Sequence, residues 1–151
     1  EDTVFSLEFC RHIDGAAVLP AFFYHYVQNE SSFSHAYRPD RYPLTLRLCG
    51  ILEEYARQYG ILEEVQGRIN RVMWVSLMEC LKQEVRREDT RWRRKVQNIR
   101  IMCRETGVQK AVWTLEPADF GLKQRALLAA VRHRWTAAVW FLTEIRNWRG
   151  L

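Results

Sequence analysis

The chain contains 151 residues, of which 48% are hydrophobic and 13% aromatic, which is enough apolar material to bury a core without disulfides or a structural metal. This composition excludes the disordered, collagen-like and small disulfide-scaffold classes, and since no run approaches about 18 consecutive apolar residues, we expect no helix that spans a bilayer. The net charge of +5 is unevenly distributed, because residues 1–70 carry 6 basic and 10 acidic side chains whereas residues 71–151 carry 17 and 8.

Hydrophobic periodicity predicts helices along most of the chain, because apolar residues recur at steps of three and four and no window shows the alternation of a strand. We predict an all-α fold, a single compact domain of six or seven helices over residues 1–151. A bundle is preferred to a short solenoid of helical hairpins, since the segments are irregularly spaced and no repeat is present. The predicted helices cover 4–13, 20–27, 44–59, 61–85, 90–106, 108–115 and 122–148.

The first of these helices are short, and a long loop follows them. Pro20 opens the second helix, whose aromatic face we predict to contact a partner. Residues 28–43 contain Asn, Ser, Pro and Asp without periodicity and predict a loop, which is longer than most connections in compact domains. The aromatic face consists of Phe22, Phe23 and Tyr26.

Two long helices are predicted from the apolar spacing. The helix over 61–85 has the longest regular pattern of apolar residues in the chain. In the helix over 122–148 the same spacing connects Leu128, Val131 and Trp135. We therefore expect the last helix to be continuous and to pack in the centre of the domain, with Trp135 in the core.

The cysteines indicate a reduced, intracellular protein of the cytoplasm or nucleus. They form no C-x-x-C pair, and a metal-binding spacing is absent; three of them lie among apolar helical neighbours, where free cysteine is usually buried. The alternative is a secreted bundle of cytokine type with two disulfides, which the sequon Asn29-Glu30-Ser31 permits. Because the sequence begins with Glu1, we interpret it as a fragment or a processed chain. The four cysteines are Cys10, Cys49, Cys80 and Cys103.

Catalytic signatures are not found in the sequence. The metalloprotease, nucleophile-elbow, phosphate-loop and dinucleotide-binding motifs are absent. Cys10 and His12 stand two residues apart, and on a helix this spacing directs the side chains to different faces. We therefore predict a protein that is not an enzyme and that has no catalytic residues, no metal ligands and no cofactor.

The segment 82–104 is strongly basic, with nine basic and three acidic residues. Arginine, which supplies 19 of the 23 basic residues of the chain, suits phosphate, carboxylate and aromatic partners, although codon composition also explains the bias. With Trp92 inside it, the segment predicts nucleic-acid binding as an alternative function. Against this, Trp92 has the spacing of a buried residue, and the basic face can balance the acidic first half. The predicted nucleic-acid contacts are Arg86, Arg87, Arg91, Arg93, Arg94, Lys95 and Arg100.

Tryptophan and arginine occur together in the last helix, which is the composition of interface hot spots. Trp140 and Trp148 fall outside the core spacing, so we expect them at the surface unless they pack against a second neighbour. We predict a non-enzymatic protein–protein interaction module, an adaptor or scaffold, whose partner supplies an acidic or amphipathic helical segment; homodimerisation is also compatible with this composition. The predicted contacts of this helix are Trp140, Trp148, Arg132, Arg134, Arg146 and Arg149.

Overall fold

A computed structural model of the chain describes the backbone of residues 2–15, 17 and 37–148 and the side chains of 3–15, 17 and 37–145. These residues form seven α-helices and one short 3-10 turn, and none of them is in a strand. The predicted all-α fold is therefore confirmed. None of these helices has the length and apolar character needed to cross a membrane. The helices are α1 (Asp2–Cys10), α2 (Arg41–Gln58), α3 (Leu62–Arg86), α4 (Trp92–Arg104), α5 (Thr106–Thr114), α6 (Leu122–Arg132) and α7 (Thr136–Trp148).

The contacts divide the chain into two units, residues 1–36 and 37–151, and the expectation of a single domain stays a prediction. In the first unit, α1 ends at Cys10, three residues earlier than predicted, because Arg11 and His12 form a turn with bonds to the carbonyls three residues before them. The predicted helix over 20–27 and positions 28–36 of the predicted loop lie outside the described residues.

The second unit is a helical bundle in which α3 occupies the centre. This helix, whose existence the sequence predicts, packs against α2, α4, α5 and α7, and its regular apolar spacing places one face in the core. The start of α2 differs from the prediction: residues 41–43 belong to its first turn, where Pro43 is tolerated because that turn has no hydrogen-bond partner for its backbone N–H groups. The fully buried apolar side chains of α3 are Trp74, Leu77 and Leu81.

The prediction of one continuous helix over 122–148 is wrong. The chain leaves the helix after Arg132 and starts α7 at Thr136, so the buried positions follow a new phase. Val139 and Thr143 are buried in α7, whereas Trp135 is 61% exposed. Because the turn between α6 and α7 rotates the second helix relative to the first, spacing carried over from α6 assigns Trp135 wrongly to the core.

A hydrogen-bond network anchors the beginning of the second unit. The Tyr37 hydroxyl donates to the Glu84 carboxylate at 3.2 Å, and the Asn98 side-chain amide donates to the same carboxylate at 2.9 Å. Arg87 donates to the Tyr37 hydroxyl at 2.9 Å. Glu84 is only 1% exposed, and a buried carboxylate requires such partners. Tyr37 is thereby attached to the C-terminal end of α3, while Asn98 joins α4 to the same carboxylate.

Candidate interaction surfaces

Three exposed aromatic side chains form a contiguous row where α5 ends and α6 turns into α7. The His133 ring stacks on Trp135, with ring centroids 5.2 Å apart and planes inclined by 28°. On its other side, His133 meets Trp113 edge to face at 5.8 Å. Trp113 is 56% exposed and Trp135 is 61% exposed. We call Trp113, His133 and Trp135 the aromatic row.

Arg132 holds one end of the aromatic row in place. Its guanidinium lies 5.4 Å from the centre of the Trp113 ring, a distance typical of a cation–π contact. The same group donates to the carbonyl of Val112 at 2.8 Å and to that of Leu115. These carbonyls belong to the C-terminal end of α5, where backbone acceptors lack helical partners. Arg132 therefore joins α6 to α5 directly beneath Trp113.

The other end of the row depends on a strained turn. Arg134 has a φ of 57°, its N–H bonds to the Val131 carbonyl, and the Trp135 N–H bonds to the Ala130 carbonyl. This is the Schellman arrangement, in which the left-handed position is usually glycine. A side chain in this conformation costs about 1–2 kcal/mol. His133 and Trp135 flank the strained residue, and strain of this kind is concentrated at functional sites.

The remaining predicted partner contacts are distributed differently. Arg134 is exposed beside the row, whereas Trp140 is partly buried and packs against the core. Lys95 lies 5.7 Å from the Trp140 ring and donates to the Val85 carbonyl at 3.0 Å. The structure thus brings Arg132 and Arg134 to the aromatic row and places Trp140 against α4. Outside the described side chains are Arg146, Trp148, Arg149, Phe22, Phe23 and Tyr26.

The basic segment forms an exposed surface around the first turn of α4. Trp92 is 65% exposed, so the expectation that it is buried is wrong. It is the first residue of the helix. On the same side of the helix, Val96 is half-buried and Ile99 is fully buried, so the buried part of this side begins one turn after Trp92. Arg87 and Lys95 are occupied by contacts within the protein. The exposed arginines of the segment are Arg86, Arg91, Arg93, Arg94, Arg100 and Arg104.

Two residues of the aromatic row, Trp113 and His133, were not predicted as contacts from the sequence. Trp113 lies in a short helix with few residues from which to judge its face. The polar run from Arg132 to Arg134 interrupts the apolar residues of this region, but without Gly, Pro, Asn, Asp or Ser it gives no signal for a turn.

Away from these surfaces, the described residues include a small groove and no cluster of metal-ligating side chains. Among them, no three His, Cys, Asp or Glu side chains are grouped to hold a metal ion. A groove of about 250 Å³ between α2, α3 and α5 is lined by residues that include Glu53, Asn70 and Lys110, and it is smaller than usual ligand pockets of about 300–1,000 Å³.

The four cysteines are free, and only Cys10 is exposed. The predicted burial of the other three is confirmed. Burial raises the pKa of the Cys103 thiol to about 12 and that of the Cys49 thiol to about 11, the latter with a smaller effect from Glu53. Thiols with such pKa values are poor nucleophiles and poor metal ligands at neutral pH, since the thiolate is the reactive form.

Comparison of the chain with protein-family models, with curated proteins and with solved structures finds no match. The side-chain geometry of the described residues is therefore the basis for assigning a function.

Proposed function

We propose that the chain is a non-enzymatic helical interaction module that binds a protein partner through the aromatic row. The observation that carries this proposal is the contact of three exposed rings, Trp113, His133 and Trp135, on one part of the surface. Single exposed apolar side chains are normal on proteins, whereas contiguous ones mark interaction sites. Tryptophan and arginine are also the residues most enriched in binding hot spots.

The row is held in position before any partner arrives. Arg132 fixes Trp113 from below through its carbonyl and ring contacts, and the turn at Arg134 fixes the backbone between the other two rings. Because ordering of side chains on binding costs free energy, a surface that is already ordered binds more tightly for the same contact area. This arrangement favours recognition of a structured apolar segment by an adaptor or scaffold.

The charge beside the row indicates the chemistry of the partner. Arg134 is exposed next to Trp135, and the Arg132 guanidinium lies over Trp113. A partner with apolar side chains opposite the rings and carboxylates opposite the arginines complements both features. An acidic amphipathic helix supplies these groups along one face.

The test compares a double variant of the row with a matched tryptophan variant elsewhere. Tagged wild-type protein, Trp113→Ala/Trp135→Ala and Trp92→Ala are used to capture proteins from nuclease-treated cell lysate, and the strongest binder is then purified for calorimetry. All three side chains are exposed, so the fold is retained, which circular dichroism verifies. We expect the double variant to lose at least about tenfold in affinity, as hot-spot residues do, and Trp92→Ala to match wild type.

Equal binding by all three proteins would show that the row is not the interaction site. Sedimentation of the isolated protein then tests whether the aromatic row binds a second copy of the chain. A concentration-dependent dimer that is lost in the double variant assigns the row to self-association in place of a different partner.

A further inference from the structure

The exposed face of α4 carries a regular line of arginines. Arg93, Arg100 and Arg104 are separated by seven and four residues and are all exposed, whereas Ile99 and Met102, on the side of the helix turned away from them, are buried. Residues with this spacing lie above one another on a helix. At about 1.5 Å per residue the line is roughly 16 Å long. We call Arg93, Arg100 and Arg104 the arginine stripe.

The arginines of the stripe are not paired with acidic side chains within the described part of the molecule. None of its three arginines forms a salt bridge there, and the first turn of α4 contains no acidic residue. The carboxylate of Glu84 is buried and bound by Tyr37 and Asn98, and that of Asp89 pairs with Arg87. An extended anion is therefore the natural complement of this surface.

An exposed aromatic ring stands at the N-terminal end of the stripe. Trp92 is the first residue of α4, and the Arg93 guanidinium lies 5.9 Å from the centre of its ring. Tryptophan and arginine are also enriched in protein-binding hot spots, but here the positive charge continues along the helix beyond the ring. Single-stranded nucleic acid complements both features, because bases stack on exposed aromatic rings while the backbone follows a basic groove or face.

We infer that α4 is a binding site for single-stranded nucleic acid, in which the arginine stripe contacts phosphates and Trp92 stacks on one base. At about 3.4 Å per nucleotide of a stacked strand, the stripe spans roughly five nucleotides. A duplex lacks the unpaired base that the ring requires. This site lies on α4, away in sequence from the aromatic row, and does not depend on the proposed function.

Fluorescence anisotropy with a labelled single strand of about 15 nucleotides tests the inference on the full chain. We expect Arg93→Glu/Arg100→Glu to weaken binding more than about tenfold, and Arg93→Ala/Arg100→Ala to lower the salt slope of log K by roughly 1.4, since each phosphate contact on a single strand contributes about 0.7. The control Arg47→Glu/Arg68→Glu makes the same charge change at two exposed arginines of α2 and α3, and its affinity should stay within about threefold of wild type.

The contribution of the ring is measured separately. Trp92→Ala should weaken binding of the oligonucleotide about tenfold, Trp92→Phe should retain most of it, and heparin, which is anionic but has no bases, should bind both variants equally. The inference is overturned if the single strand does not bind, if the control loses as much affinity as the stripe variant, or if a glutamate-rich peptide displaces the strand at equal charge concentration. Trp113→Ala/Trp135→Ala should bind the strand with wild-type affinity, so this experiment tests the nucleic-acid site independently of the proposed function of the aromatic row.

Discussion

Arg134 and Gly60 occupy the same position at the ends of α6 and α2. Both have a positive φ, 57° and 68°, and in both turns the next residue donates to the carbonyl five residues before it. Glycine adopts this conformation without steric cost, whereas any other side chain is strained there. The two turns therefore have the same backbone conformation, which is unstrained at Gly60 and strained at Arg134.

We predict that Arg134→Gly raises the free energy of unfolding by about 1 kcal/mol and that Gly60→Ala lowers it by about the same amount. A Cβ added at Gly60 has no heavy atom within 4 Å, so its effect isolates the backbone strain. Urea unfolding followed by circular dichroism measures both changes. A destabilised Arg134→Gly variant would mean that the arginine side chain makes contacts whose loss outweighs the relief of strain.

The cysteines give a second prediction at the residue scale. Burial raises the pKa of Cys49, Cys80 and Cys103, so at pH 8 we expect only Cys10 to react rapidly with a thiol reagent, and four thiols to react in denaturant. A folded-state pKa above the unfolded value contributes stability that is lost as pH rises; stability should thus fall from about pH 9 towards pH 12. Fewer than four thiols in unreduced, denatured protein would favour the secreted, disulfide-bonded alternative.

At the scale of helices, Arg132 connects two elements through backbone acceptors. Hydrogen bonds to charged groups contribute about 1.5–3 kcal/mol, and Arg132 donates to the carbonyls of Val112 and Leu115 at the end of α5. We predict that Arg132→Ala lowers the free energy of unfolding by about 2 kcal/mol and that Arg132→Lys recovers only part of it, because an ammonium group lacks the planar fork.

Chemical denaturation measures the free energy of unfolding of these two variants, with Arg100→Ala as the control substitution. Arg100 is exposed on α4, and exposed substitutions usually change stability by less than about 0.5 kcal/mol. If Arg132→Ala behaves like Arg100→Ala, the carbonyls of α5 are satisfied equally well by water and the connection is not stabilising.

The bounds and buried faces of some helices can be predicted from the sequence, and those of others cannot. The apolar pattern of α3 is regular over its whole length, and tertiary packing on four sides agrees with it, so its existence and buried face are predictable. The break between α6 and α7 contains neither glycine nor proline, and the chain there adopts a left-handed conformation at an arginine. Without a glycine or proline, the local sequence favours a continuous helix at that point. The packing of α7 against its neighbours stabilises the turn instead.

The aromatic row was missed for the same reason. A continuous helix places Trp135 in the core, whereas the turn exposes it and brings it to His133. Its neighbour Trp113 comes from another helix, and only the folded chain shows which helices meet. The arginine stripe, by contrast, lies within one helix, so the charge of this surface was visible in the sequence; the exposure of Trp92 was not, because it depends on where neighbouring helices end.

At the scale of the whole molecule, the buried core of the described residues and both proposed surfaces belong to residues 37–151. The buried side chains of the described residues extend from Thr45 to Thr143. This unit carries 22 basic and 13 acidic residues, whereas residues 1–36 carry 1 and 5. The two units that the contacts define thus also carry opposite net charges. The second unit has 115 residues, which is in the size range of independently folding domains.

We predict that a fragment of residues 37–151 unfolds cooperatively, with a free energy of unfolding within about 1 kcal/mol of the full chain, because it contains all the buried side chains of the described residues. Thermal and urea unfolding, each followed by two spectroscopic probes, measure this. Within the fragment, Tyr37→Phe removes a hydroxyl donor from the buried Glu84 carboxylate and should cost about 1–3 kcal/mol. A fragment that unfolds without a cooperative transition would show that residues 1–36 complete the core, and a neutral Tyr37→Phe would show that Asn98 alone satisfies Glu84.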